Sequence, residues 1–191
     1  MRKDIESYYK NIFKSLDSVK VKDKSGQDIE FYSAIEQCCH LILKQTSIRG
    51  KLMFIGNGAS AAIAGHMAAD FLKNGEMAAM AFNEASLLTC LSNDLGYKFV
   101  FEKPIEMFGH VIDILIAISS SGRSENILRG VDAALKKGCH VITLSGFDET
   151  NPLSTLGDYN FHVPIHSYGA VEVVHHSICH CIIDVIMKSK M

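Results

Sequence analysis

Residues 51–70, KLMFIGNGASAAIAGHMAAD, constrain the fold of this chain more than any other stretch. An apolar run at 52–55 has the length of a buried strand. The turn Gly56-Asn57-Gly58-Ala59-Ser60 follows, and an alanine-rich segment then reads as a helix. A strand that passes through small residues into a helix makes an anion site. Glycine lets the backbone approach a ligand, and the helix start offers free N–H groups and a favourable dipole. His66 and Asp70 stand four residues apart, so both project from one face of that helix. The stretch predicts a phosphate cup with two polar groups one or two turns deeper.

The rest of the chain repeats the alternation. Residues 4–18 and 28–46 are spaced as amphipathic helices, with residues 19–26 a charged, turn-like linker between them. Residues 78–82 read as a strand, 84–91 as a helix, 92–96 as a polar turn and 99–108 as a further helix. The apolar run 113–118 is the clearest buried strand. It enters Ser119-Ser120-Ser121-Gly122-Arg123-Ser124, then a helix over 125–137 with Ser124 as its N-cap and Gly138 as its stop. Strands at 140–144 and 159–163, a short helix near 152–156 and a last helix over 168–188 complete the pattern. Apolar runs alternating with helices predict a doubly wound α/β domain with a parallel sheet of about five strands.

Composition narrows the function. At 191 residues the chain fits one domain, and 48% hydrophobic residues suggest surface buried in subunit contacts. A net charge of −2 gives no electrostatic case for binding nucleic acid or a membrane. None of the six cysteines sits in a CxxC pair, and buried, reduced thiols are expected. The opening MRKDIESYYK has no apolar core of a leader, and no apolar run approaches membrane length, so a soluble cytoplasmic protein is expected.

Two hydroxyl- and glycine-rich turns, 56–60 and 119–124, follow strands and precede helices. Parallel α/β sheets bind ligands at the carboxyl ends of their strands, so the two turns can converge on one phosphate. Ser60, Ser119, Ser121 and Ser124 would then be donors. The bland alternative makes these serines helix caps. A loose dinucleotide fingerprint, Gly56-x-Gly58-x-x-Ala61 with Glu84 as the ribose acid, competes but leaves the triple serine unexplained. On the last helix Glu172, His176 and His180 share one face at i, i+4 and i+8, with His175 pointing elsewhere. Together with His66 and Asp70 they suit either a zinc-type divalent ion or acid–base catalysis. A polar surface or interface stripe is the other reading.

GNGASAAIAGHMAAD, SNDLGY, ISSSGRSENI, GCHVITLSG and the closing helix through His180 resemble, in order, the phosphoheptose isomerase branch of the sugar isomerase (SIS) family. The resemblance implies a single SIS domain over residues 49–191, a three-layer, doubly wound αβα fold with a five-stranded parallel sheet. Residues 1–48 would be two N-terminal helices used in oligomerisation. It further implies a homotetramer with active sites between subunits and isomerisation of sedoheptulose 7-phosphate to an aldose phosphate, with one Zn2+ or other divalent metal per subunit. Position by position, Asn57, Gly58, Ala59 and Ser60 match the first substrate loop, and Asn93 and Asp94 a substrate-contacting pair. Ser119, Ser120, Ser121 and Ser124 match the phosphate loop. His66, Asp70, Glu172 and His180 match the metal set. Asp70 matches the catalytic base and His180 the catalytic acid, with Glu172 a substrate contact able to share the base's role. Three departures stand out. Asp70 replaces a glutamate, Glu172 replaces a glutamine, and the segment 73–77 is short and lacks an expected arginine. A non-catalytic SIS protein that binds a phosphosugar or a protein partner, like the family's replication-initiator-binding branch, is the alternative.

Overall fold

The computed structural model of the chain describes residues 1–190. Its centre is a seven-stranded sheet in the order β2-β1-β7-β6-β5-β3-β4. Five strands run parallel: β3 (Leu52–Gly56), β4 (Ala79–Ala81), β5 (Ile114–Ser119), β6 (His140–Gly146) and β7 (Tyr159–Val163). The other two, β1 (Lys20–Asp23) and β2 (Asp28–Ile29), form a hairpin that joins antiparallel to the edge of β7. The expectation of a sheet limited to five parallel strands with a linker at 19–26 is therefore corrected. Residues 20–23 carry only Val21 as a buried apolar side chain between charged neighbours. An edge strand has one partner and one wet face, so it needs no continuous apolar run.

Seven helices cover the sheet: α1 (Arg2–Asp17), α2 (Phe31–Ser47), α3 (Ala59–Lys73), α4 (Ala85–Asp94), α5 (Glu102–Phe108), α6 (Glu125–Lys136) and α7 (Tyr168–Ser189). The strands separate them into two layers by simple alternation. Leu52, Phe54, Ile114, Ile116 and Ile118 pack with α2, α3 and α7, whereas Met53, Ile55, Leu115 and Ala117 pack with α5 and α6. All nine are nearly or fully buried, which is why β3 and β5 read as unbroken apolar runs. α7 is long and apolar enough by composition to cross a membrane, contrary to the expectation from the sequence, but half of its apolar window is buried inside the fold.

Among the parallel strands the order reverses between β3 and β5, the first and third in the chain. This is the switch point at which doubly wound sheets open a crevice at their carboxyl ends. Both serine- and glycine-rich loops leave the sheet there. α3 and α7 pack side by side on one face of the sheet, so side chains more than a hundred residues apart in sequence become neighbours.

Further differences are local. Ser92, Asn93 and Asp94, expected in a turn, extend α4 by its last turn, because Leu91 and Leu95 keep the helical spacing going. Glu84 caps α4 by accepting a hydrogen bond from the Leu87 N–H at 2.8 Å, which removes it as a ribose ligand. Cys38, Cys39, Cys139 and Cys179 are buried free thiols as expected, but Cys90 and Cys181 are exposed. Burial pushes the Cys179 thiol up to about 12.

Candidate active site

The first loop is shaped by two glycines. A Cβ at Gly56 would lie 2.5 Å from the Ser60 carbonyl oxygen, so only glycine lets the chain turn this tightly into α3. Gly58, at φ +55°, is the N-cap and offers no side-chain acceptor to the first amides of α3. The Ala61 and Ala62 N–H groups donate back to the Gly58 carbonyl at 3.0 and 3.1 Å, which leaves the Ala59 and Ser60 amides as the free donors at the positive end of the helix dipole.

The second loop starts where β5 ends. Gly122, at φ +61°, donates its N–H to the Ser119 carbonyl at 3.0 Å and closes the turn. A Cβ here would meet the Asn151 side-chain oxygen at 1.8 Å. Asn151 is itself buried and hydrogen-bonded to Gly146 and Asp148 carbonyls, so the loop rests on a fixed support. Ser124 holds the N-cap position of α6 expected of it, with its hydroxyl left free of a capping bond. The Ser120 hydroxyl is buried without a partner.

The two loops share one cup, lined by Asn57, Gly58, Ala59, Ser60, Ser119, Ser120, Ser121, Ser124, Tyr168 and Glu172. Asn57 and Asn126 clasp each other through reciprocal amide bonds of 2.9 and 2.8 Å, and the Tyr97 hydroxyl donates to Asn57 at 3.0 Å. This clasp holds the first loop to the start of α6. Asn126 and Tyr97 were not singled out from the sequence, although they lie inside the motifs SENI and SNDLGY. Asn93 and Asp94 stand on the exposed end of α4, bonded to each other at 2.7 Å, and are outside the cup wall among the described residues.

Beside the cup, α3 and α7 bring together the second cluster. The ring of His66 lies 5.1 Å from that of His176 and 5.3 Å from that of His180, and the last two are 4.6 Å apart. One ring nitrogen from each of the three falls within 4.8 Å of the others. Asp70 reaches back to His66 at 3.3 Å and to His180 at 3.9 Å. Nε2 of His176 is buried and has no hydrogen-bond partner. Partial burial lowers the pKa of His176, with the nearby His180 and His66 adding to the effect, so this ring favours its neutral form. Neutral imidazole nitrogens at this spacing, with a carboxylate alongside, are a donor set that fits a zinc-type ion. His175, on another face of α7, is fully buried; it is pushed down to about 4 by desolvation and bonded to the Ser145 carbonyl at 3.0 Å. Glu172 lines the cup wall beside the serine loops.

A cup of hydroxyls and helix-start amides at the switch point, beside a carboxylate and an imidazole cluster, suits a phosphorylated ligand. The chain belongs to the SIS domain family, whose model matches residues 7–146. Within that family it is similar to the phosphoheptose isomerase of Photorhabdus laumondii, 36% identical over 161 residues that cover 81% of this chain and 83% of that protein. It is likewise similar to the phosphoheptose isomerase of Vibrio parahaemolyticus, at 33% identity over 90% of this chain and 93% of the relative. Among solved structures, phosphoheptose isomerases from Neisseria gonorrhoeae and Francisella tularensis both superpose with a TM-score of 0.83. Their identities are 29% and 27%, and the matches cover 97% of this chain and 98% and 97% of theirs.

Proposed function

We propose that this protein is a phosphosugar aldose–ketose isomerase acting on sedoheptulose 7-phosphate and yielding the corresponding aldose 7-phosphate. The observation that carries the reading is the meeting of two serine- and glycine-rich loops in one cup beside the carboxylates and imidazoles of α3 and α7. The near full-length similarity to phosphoheptose isomerases supports it. A coupled assay over a panel of ketose phosphates tests it. Turnover greatest with the seven-carbon ketose is expected, and no turnover with any of them would overturn it.

The phosphate of the substrate docks in the cup, where Ser119, Ser120, Ser121, Ser124 and the first amides of α3 donate to its oxygens. Asn57, Gly58, Ala59 and Ser60 line the same cup and orient the sugar chain. Asp70 acts as base and removes the proton from the carbon next to the carbonyl, which gives an enediol. His180 moves a proton at the neighbouring oxygen or carbon, and Glu172, on the cup wall, contacts the sugar hydroxyls. A divalent ion of the zinc type, with His66 and His180 among its ligands, would supply electrophilic polarisation of the carbonyl. Asn93 and Asp94 would contact substrate only in a neighbouring copy or after α4 shifts.

The double substitution Ser119→Ala/Ser121→Ala is expected to weaken phosphosugar binding at least tenfold. Each charge-assisted hydrogen bond is worth about 1.5–3 kcal/mol, and about 1.4 kcal/mol is a tenfold change in affinity. Titration calorimetry with substrate reads the result, and unchanged affinity would place the phosphate elsewhere.

The proposed assembly is supported by α1, which exposes Tyr9 at 58% and Phe13 at 68% of their surface. An apolar face of this size is covered in a subunit contact. We place α1 in the interfaces of a homotetramer with shared sites, working in the cytoplasm, where free thiols stay reduced; α2 packs its apolar face, Ile35, Cys39 and Ile42, into the chain's own core. Sedimentation at micromolar concentration should show a tetramer, and a monomer with full activity would refute this.

A binding protein without turnover is the second reading, favoured only by the shorter Asp70. It predicts calorimetric binding of the ketose phosphate with no product formed.

A further inference from the structure

We infer that the divalent centre of this chain is a three-histidine site, His66, His176 and His180, and that Glu172 belongs to the substrate cup instead. The inference deepens the isomerase reading and rests on it only for the use to which the ion is put.

Three observations carry it. The only set of potential ligands that closes on one point among the described residues is one nitrogen from each of these three imidazoles, all within 4.8 Å of one another. Tetrahedral zinc with Zn–N bonds of 2.0–2.1 Å wants nitrogens about 3.4 Å apart, so the rings need to close by little more than about 1 Å.

The second observation is the orphaned Nε2 of His176. A buried ring nitrogen with no partner is costly, and of the three such nitrogens, on His162, His175 and His176, only that of His176 stands in a cluster of other metal-ligating side chains. His176 stands one turn from His180 on α7, the i, i+4 spacing at which two histidines on one helix face grip a single ion.

The third is the place of Glu172. It lines the cup with the serine loops, and eight residues of helix put it about 12 Å along the axis from His180. His176 lies between them and is already beside His66. Asp70 lies 3.3 Å from His66 Nε2 and is placed to orient that ring as a carboxylate partner, while His180 Nδ1, at 3.9 Å, is beyond hydrogen-bond reach and stays free for proton transfer. Three neutral nitrogens also leave the full charge of the ion available, whereas two carboxylate ligands would cancel it.

The experiment uses the full chain, stripped of metal by a chelator and titrated with Co2+ while the visible d–d bands are followed, with Zn2+ as competitor. One ion per chain and a tetrahedral, nitrogen-rich spectrum are expected. His176→Ala and the bulkier His176→Gln should each weaken binding at least tenfold, since loss of mere outer-sphere partners already costs about 10–100-fold. Glu172→Ala should leave affinity within about threefold and the bands unchanged, because it removes a group of the cup and no ligand. Circular dichroism and melting checks that each variant is folded, with His176→Gln preserving volume if the alanine variant fails.

The inference is overturned if folded His176 variants keep wild-type affinity and spectrum, if a folded Glu172→Ala variant releases the ion, or if the wild type binds none. Substrate is absent from the titration, so these outcomes are independent of the isomerase reading. An intact three-histidine spectrum in a protein that turns over no ketose phosphate would sink the proposed function and leave the centre standing.

Discussion

His180→Ala is expected to lower kcat by at least about a thousandfold while leaving the fold intact. General acid–base catalysis by one positioned side chain contributes about 10²–10⁴-fold, and this imidazole has further tasks. Its ring is 4.6 Å from His176 and 5.3 Å from His66, so its loss removes one wall of the imidazole cluster. It is also the second histidine facing Asp70, at 3.9 Å. Residues that act as a unit do not contribute additively, so one removal costs nearly as much as removing the group. Stability should move little, because the His180 side chain is 39% exposed and its truncation opens no core cavity. A destabilisation below about 1 kcal/mol corresponds to a shift in Tm of about 2–4 °C in a domain of this size. Retention of more than a tenth of wild-type kcat by a folded variant would remove His180 from the chemistry.

Asp70→Asn is expected to cost about 10²–10⁴-fold in kcat with little change in KM, since the amide keeps the shape but cannot take a proton. The competing candidate is Glu172, the other carboxylate near the cup. Two features favour Asp70. It lies on α3 in contact with both His66 and His180, where the proton can be passed on. Glu172 is one of the cup-lining groups, a position suited to hydrogen-bonding a sugar hydroxyl. Glu172→Gln keeps that hydrogen-bonding capacity and is expected to stay within about tenfold of wild type in kcat. Asp70→Glu lengthens the side chain by one methylene and should retain turnover. The reverse outcome, a tolerated Asp70→Asn and an inactive Glu172→Gln, would move the base to α7.

The alternation of apolar runs with helical periodicity determined the five parallel strands and the main helices, because each element's buried face is written in its own residues. The two anion loops were legible for the same reason. Gly56, Gly58 and Gly122 are needed by backbone geometry that is local to each turn. The stripe of Glu172, His176 and His180 was likewise visible as a shared helix face. Where signals were weak the reading failed. β1 carries one buried valine among charged residues, and the last turn of α4 is polar, so neither shows a pattern that outweighs a turn.

What only the tertiary structure decided is which of these pieces meet. The strand order that sets β3 beside β5 brings the two loops into one cup, and nothing in either loop encodes its neighbour. The clasp of Asn57 with Asn126 and Tyr97 exists only once those strands are paired. The partition of α7 between a glutamate on the cup and histidines at the cluster depends on the packing of α3 against α7 over one face of the sheet. Periodicity tells a helix which face to bury. It does not tell it which helix it will lie against, because that contact is selected by the packing of the whole core across the sheet.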